Sequence, residues 1–299
     1  MQHTVRRPAE ASGTFLIGGK LPVHRLGLGA MRLTGEGIWG PPTNKQEAIA
    51  VLRRALELGI NLIDTADSYG PEVSEAIIAE ALYPYPKGLV IATKGGLVRP
   101  GPNQWEPNGS PEHLREAVEG SRRRLRLDRI DLYQYHRPDP NVPFEDSIRE
   151  LAKMQQEGKI RHIGLSNVTS EQLASAQTIV PIATVQNHYN LTKRQSENMT
   201  VEQREEMIDI CARQNIGFIP WFPLATGSLA QPGSQLDQIA RKHNATPSQI
   251  ALAWLLKRSP TMLPIPGTSS VKHLEENVLG ATIQLSQEEY DTIDRSTRQ

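Results

Sequence analysis

Two groups of residues in this chain have types and spacings that could do chemistry. The first is GEGIWG at residues 35–40, which matches the pattern G-x-G-x-x-G. Between a strand and a helix, glycines so spaced let a backbone approach a pyrophosphate. Upstream, HRLGLGAM reads as a short strand; downstream, GINLID ends in Asp64, near where that pattern places a ribose-binding acid. The second group is Asp64, Lys94 and His136, which close the apolar runs INLID, LVIATK and IDLYQYH, with Tyr69 in the loop TADSYG. A carboxylate, an ammonium, an imidazole and a phenol gathered at one point could hold and transfer a proton.

The elements around these residues decide whether they meet. Strand-like runs occur at 25–29, 60–64, 89–94, 130–136, 160–167, 183–190, 217–223 and 262–267. Most are short, apolar and β-branched, as strands covered on both faces are. Helix-like segments at 43–59, 74–82, 110–127, 144–158, 169–179, 202–215, 234–244 and 271–280 alternate with them. Segment 246–258 is an extra helix before the last strand, and 285–294 is a C-terminal one. GTFLIGGKLPV, 13–23, reads as a hairpin around Gly18-Gly19. This alternation predicts an α/β fold: a (β/α)8 TIM barrel with an N-terminal β-hairpin and extra C-terminal helices. No proline- or serine-rich linker divides it. Residues 13–299 are expected to form one domain, after a disordered or loosely ordered tail at 1–12.

A barrel carries its chemistry at the C-terminal ends of its strands. The second, third and fourth strands end at Asp64, Lys94 and His136. The fifth ends with Ser166 and Asn167, and the sixth carries Gln186, Asn187, His188 and Tyr189. Taken singly, each has a plain structural reading: an Asp caps a turn, a Lys is solvated, a His is hydrogen-bonded, a loop Tyr packs. Three such groups on adjacent strand ends are another matter, because charges brought together there must be paired or functional.

GEGIWG fails on local grounds. Gly35 lies several residues past the first strand, and Pro41-Pro42 separates Gly40 from a helix that starts near Thr43 or Asn44. No helix N-terminus is presented to a pyrophosphate at these glycines. The stretch is read instead as a mobile loop over the barrel mouth, carrying Trp39 towards a substrate.

Bulk properties narrow the partners. Lys+Arg and Asp+Glu balance at 33 each, which offers no general attraction to nucleic acid or an anionic membrane. The single Cys211 allows no internal disulfide, which suits a reducing compartment. The N-terminus has no apolar signal region, and the longest apolar run, IALAWLL, is far short of the ~20 residues of a membrane helix. A cytoplasmic protein acting on a small molecule, as a monomer or small homo-oligomer, is expected.

IDTADSYG, IATKGG, LYQYH, IGLSN, VQNHYN and IPGTSSVKHLEEN are similar, in order and spacing, to the aldo-keto reductases, over nearly the whole chain. YPYP at 83–86, RHIGLSNVT and WFPL look most like the bacterial pyridoxal reductase-like branch. The resemblance implies an NADPH-dependent oxidoreductase that reduces an aldehyde or ketone, pyridoxal among them, with Asp64, Tyr69, Lys94 and His136 as catalytic tetrad. Tyr69 would protonate the carbonyl oxygen. Lys94 would stabilise the phenolate and lower the phenol's pKa. Asp64 would keep Lys94 charged, and His136 would orient the carbonyl.

The resemblance also implies a cofactor site. Ser166, Asn167 and Gln186 would hold the nicotinamide carboxamide, with Trp221 stacked on its face. Gly29, Ala30, Met31, Phe222, Pro223, Leu224, Thr226 and Gly227 would lie along it. Gly267, Thr268, Ser269, Lys272, His273, Glu276 and Asn277 would surround the adenosine phosphate. Many members have arginine where His273 stands and lysine where Gly267 stands; here Lys272 is the nearby cation, and NADPH is expected over NADH. Trp39 and Trp105, in Gly/Pro-rich loops, are the candidate substrate walls, with Met31 and Trp221 beside them. Two other readings compete. One is a metal-dependent barrel hydrolase using Asp64, Asp67, His136 and His188. The other is a non-enzymatic, cofactor-sensing subunit.

Overall fold

A computed structural model describes residues 7–191, 200–224 and 233–296. Strands β3 (Leu28–Gly29), β4 (Leu62–Asp64), β5 (Val90–Gly95), β8 (Ile130–Tyr135), β9 (Ile160–Ser166), β10 (Ile182–His188) and β11 (Gly217–Trp221) form one parallel sheet. Its order is β11-β10-β9-β8-β5-β4-β3, so the main strands lie side by side in chain order. β6 (Leu97–Val98) and β7 (Glu106–Pro107) form a small antiparallel pair above the end of β5.

The eighth strand position is filled by irregular backbone. Phe218 N–H donates to Thr261 O and Leu263 N–H to Phe218 O, both at 2.8 Å. On the other side, Gly27 and Gly29 donate to the carbonyls of Pro264 and Pro266 at 2.9 and 3.4 Å. Segment 261–267 thus closes the barrel between β11 and β3. Pro264 and Pro266 can accept but have no N–H to donate, so only isolated bridges form where a full strand was expected.

The helices begin where their caps put them. Asn44 accepts from Glu47 N–H and starts α1 (Lys45–Glu57), three residues beyond Pro42. Ser110 with Pro111 starts α3 (Pro111–Leu125), and Thr246 with Gln249 makes a capping box before α8 (Pro247–Arg258).

Inside the barrel, side chains of one parity stack in layers. Leu62, Val90, Ala92, Leu132, Ala183, Ile219, Leu263 and Ile265 form the apolar plug. The hairpin β1 (Thr14–Ile17) and β2 (Leu21–His24) seals it from below with Phe15, Ile17, Leu21 and Val23. Two residues further along several strands, the same inward parity reaches Asp64, Lys94, Gln134 and Ser166.

The expected loose tail is partly ordered. Pro8–Ser12 form a 3-10 turn, with Ala9 buried and its N–H donating to Leu58 O at 3.1 Å. Ser12 Oγ accepts from Leu26 N–H at 3.1 Å. A small apolar residue and a hydroxyl suffice to dock a polar-looking stretch. Residues 1–6 lie outside the described part.

Candidate active site

The polar layer above the plug is organised around Lys94. Its ammonium has three protons and three acceptors: Asp64 Oδ1 at 2.5 Å, Thr65 O at 2.8 Å and Tyr69 Oη at 3.3 Å. The side chains of Lys94 and Asp64 are 0% and 2% exposed. Asp64 Oδ2 accepts from the amide groups of both Gln134 and Gln186 at 2.8 Å. The ion pair is thus buried with its lone pairs answered, the condition under which such a pair is tolerated. Because the Tyr69 oxygen accepts from Lys94, its own proton remains for a group in the cavity that Tyr69 lines.

Burial works against charge on Lys94, but Asp64 and Tyr69 outweigh it and hold the ammonium above its ordinary pKa. The Tyr69 phenol behaves differently from the expectation. Burial raises its pKa, with Asp64 adding to the rise, and Lys94 only opposes them. The phenol is therefore held in its neutral form, with the Lys94 ammonium beside its oxygen. His136 is pushed well below its ordinary value, by burial first and then by Lys94, Arg137 and Arg99. It is a neutral imidazole, with Nδ1 at 3.3 Å from Ser68 Oγ. Trp105 stands beside both groups, its ring centroid 6.2 Å from that of Tyr69 and 6.5 Å from that of His136.

These residues open into a cavity of about 520 Å³, within the size range of small-molecule sites. On its wall, Gln186 is turned by chemistry: its amide nitrogen faces the carboxylate of Asp64, so its carbonyl oxygen has no partner among the described residues. Ser166 Oγ accepts from Asn167 and keeps its proton. An unanswered acceptor beside an unanswered hydroxyl donor suits a primary carboxamide, such as that of nicotinamide. The Trp221 indole is held by Nε1–H to Asn167 Oδ1 at 3.1 Å and lies tilted against His188 with ring centroids 4.2 Å apart, while Trp221 lines the cavity. The residues present fit the cofactor that the resemblance implies.

The structure gathers Asp64, Tyr69, Lys94 and His136, and lines the cavity with Gly29, Met31, Trp105, Ser166, Asn167, Gln186, Trp221, Phe222, Pro223, Leu224 and Gly267. Asn167 is also engaged by protein groups. Its Nδ2 hydrogens go to His136 O at 3.0 Å and Ser166 Oγ at 3.1 Å, so it braces the neighbours of the carboxamide position. Trp39 does not reach the cavity wall; Ile38 does, while Trp39 pairs with Gly70. Ala30, Thr268, Ser269, Lys272, His273, Glu276 and Asn277 also lie off the wall. Lys272 is largely exposed and 3.9 Å from Glu276. One backbone donor at the start of α9 (Val271–Val278) is already taken, Val271 N–H donating to Glu47 at 2.9 Å. Thr226 and Gly227 lie outside the described residues. Among the described residues no three His, Cys, Asp or Glu are grouped to hold a metal.

Several wall residues had no sequence signal strong enough to single them out: Arg32, Leu97, Asn103, Arg137, Ser248 and Ile265. Gln134 had one, since it sits two residues before His136 and shares its parity. The glycines of GEGIWG turn a loop back on itself. Gly37 and Gly40 have φ of 66° and 65°, Gly35 N–H donates to Gly40 O, and a Cβ on Gly35 would run into the Trp39 carbonyl.

Behind the loop after β4, Asp67 Oδ1 is enclosed without a hydrogen-bond partner among the described residues. Burial first, then Glu75, pushes its carboxyl well above the ordinary range, against Arg124. A raised carboxyl binds its proton more tightly folded than unfolded. Its contribution to stability is therefore complete below the ordinary carboxylate range and is lost as pH rises through the folded-state value. Asp67→Asn is expected to raise the unfolding midpoint by about 2–4 °C near pH 8, with the gap closing towards pH ~4. Thermal unfolding of both proteins across that range checks it; a gap independent of pH would refute the titration argument.

Comparison with known proteins agrees with this geometry. Residues 25–298 match the model of the Aldo/keto reductase family. The chain is 53% identical to an uncharacterized oxidoreductase of Schizosaccharomyces pombe, covering 96% of this chain and 90% of the relative. It is 46% identical to pyridoxine 4-dehydrogenase of Escherichia coli, covering 97% and 100%. The crystal structure of an aldo-keto reductase from Klebsiella pneumoniae in complex with NADPH superposes with a TM-score of 0.77 at 26% identity, covering 94% of each chain.

Proposed function

The chain belongs to the aldo/keto reductase family, and from that premise we propose that it reduces a small aldehyde or ketone to the alcohol with NADPH, Tyr69 supplying the proton. The observation that carries this is the contact of Lys94 Nζ with Tyr69 Oη at 3.3 Å, inside a buried pair with Asp64. Reduced nicotinamide, when bound, supplies the hydride that goes to the carbonyl carbon. Tyr69 gives its proton to the carbonyl oxygen as that oxygen gains charge. The phenolate left behind lies beside the Lys94 ammonium, in surroundings dry enough to make that attraction strong. Neutral His136 donates a hydrogen bond to the same carbonyl oxygen without adding a full charge to the site. Gln186 and Ser166 would hold the carboxamide, and Trp221 would back the ring.

A planar aldehyde such as pyridoxal is the favoured substrate. The cavity beside Tyr69 is walled by Met31, Ile38, Leu97, Trp105 and Trp221, which are apolar or aromatic. The name of the Escherichia coli relative supports the same choice. Arg32, exposed on the cavity rim next to Gly267, is the cation we assign to the cofactor's phosphates, with Lys272 at the start of α9 as a second. Charge-assisted contacts of this kind predict NADPH over NADH by about tenfold or more in kcat/KM. The buried Cys211 and balanced charge support work in the cytoplasm as a monomer or small homo-oligomer, without nucleic-acid or membrane partners. Among the described residues no helix is long and apolar enough to cross a membrane.

The test is NADPH absorbance over a carbonyl panel that includes pyridoxal, repeated with NADH. Turnover of a ring aldehyde with NADPH preferred is the expected result. No oxidation of NADPH by any carbonyl would overturn the reading; preference for NADH would overturn its cofactor part alone.

A further inference from the structure

Arg99 follows β6 and reaches back across the barrel mouth. A guanidinium has five N–H donors, and here every one meets a backbone carbonyl. Nε donates to Gln104 O at 2.6 Å. One terminal nitrogen donates to Ile38 O at 2.8 Å and Ser68 O at 2.9 Å. The other donates to Gly37 O at 3.0 Å and Gly101 O at 3.4 Å. Three loops, after β3, β4 and β5, are thereby tied to one side chain. Among the described residues no carboxylate pairs with it. Its Cζ lies 3.6 Å from the Trp105 ring centroid and 5.6 Å from that of Trp39. Both Ile38 and Trp105 line the cavity. Ser68, whose carbonyl Arg99 holds, also contacts His136.

We propose that Arg99 is a positioning residue for substrate choice. It fixes the loop at 37–39, the turn at Ser68 and Trp105 into a preformed wall, and so favours carbonyl compounds bearing a flat, neutral or anionic ring. The shape follows from the rigid aromatic and aliphatic surface it holds beside Tyr69 and His136. The charge preference follows from its neighbours. Arg99 covers one face of Trp105, Arg137 lines the cavity, and the carboxylate on the wall, Asp64, is fully engaged by Lys94, Gln134 and Gln186. A cationic ring would meet only like charge. Lysine cannot replace this residue, because three donors on one atom cannot reach five carbonyls spread over three loops. The inference rests on the carbonyl-reductase reading above.

The test compares wild type, Arg99→Met and Arg99→Lys on benzaldehyde, para-carboxybenzaldehyde, para-trimethylammonio-benzaldehyde and butanal. The wild type is expected to take the neutral and anionic rings well ahead of the cationic one. In Arg99→Met, KM for the ring aldehydes is expected to rise about ten- to a hundredfold, with a much smaller change for butanal. The Kd for NADPH should stay within about twofold, since Arg99 touches no residue of the carboxamide site. Arg99→Lys should recover little, and millimolar guanidinium added to Arg99→Ala should recover part of the ring-aldehyde activity. Equal losses on every substrate and on NADPH binding would mean a purely structural role and overturn the proposal. So would an unchanged ratio of ring aldehyde to butanal. If Arg99→Met does not fold, Arg99→Lys carries the same comparison. If wild type oxidises NADPH with no carbonyl, the reductase reading fails instead. Quenching of tryptophan fluorescence by the ring aldehydes, in wild type against Arg99→Lys, then still reports the wall.

Discussion

Tyr69→Phe is expected to lower kcat for carbonyl reduction by at least about a thousandfold, near the upper end of what a positioned proton donor contributes. The change removes one oxygen and keeps the ring. The phenyl group can still pack edge-on against Trp105 and His136, so the cavity wall survives. NADPH binding should be intact, because Ser166, Gln186 and Trp221 do not contact the phenol. What is lost is the proton aimed into the cavity and the acceptor for Lys94 at 3.3 Å. Single-turnover rates and NADPH binding, measured on the same preparation, separate the two effects. Retention of more than about a tenth of the wild-type kcat, a loss under ~1.4 kcal/mol, would mean that Tyr69 is not the donor.

Lys94→Met is expected to destabilise the fold by about 3–5 kcal/mol and to abolish activity, the largest combined effect of any single change here. Methionine fills the volume but leaves the Asp64 carboxylate buried with only two neutral amides for company. Thr65 O also loses its donor. The double variant Lys94→Met with Asp64→Asn removes the stranded charge and should regain at least roughly half of the lost stability while remaining inactive. Chemical denaturation of the single and double variants reads the first part, and NADPH oxidation the second. A double variant no more stable than Lys94→Met would show that the cost lies in packing and not in charge.

Much of this site was legible before the structure because barrels sort residues by simple rules. Period-two alternation sends Leu62 into the plug and Asp64 into the layer above it, and likewise Ala92 and Lys94. The same rule points to Gln134, two residues before His136, although glutamine alone suggests no chemistry. Residues 8–12 look like a tail in sequence because their docking depends on two short contacts, at Ala9 and Ser12, which leave no periodic pattern. The last strand-like run, 262–267, closes the barrel, yet two prolines keep it from forming a regular ladder.

Sequence by itself determined the barrel, the order of its strands and the convergence of Asp64, Lys94 and His136 at one mouth. These follow from local periodicity, capping and strand order, which are written along the chain. Tertiary structure decided the protonation of Tyr69, the use of Asn167 as a brace, the absence of Trp39 from the cavity wall and the clamp at Arg99. Each of these depends on desolvation or on hydrogen bonds between loops far apart in sequence. Burial of a phenol and the reach of one guanidinium to five carbonyls are properties of the packed interior and the assembled mouth, and no spacing along the chain encodes them.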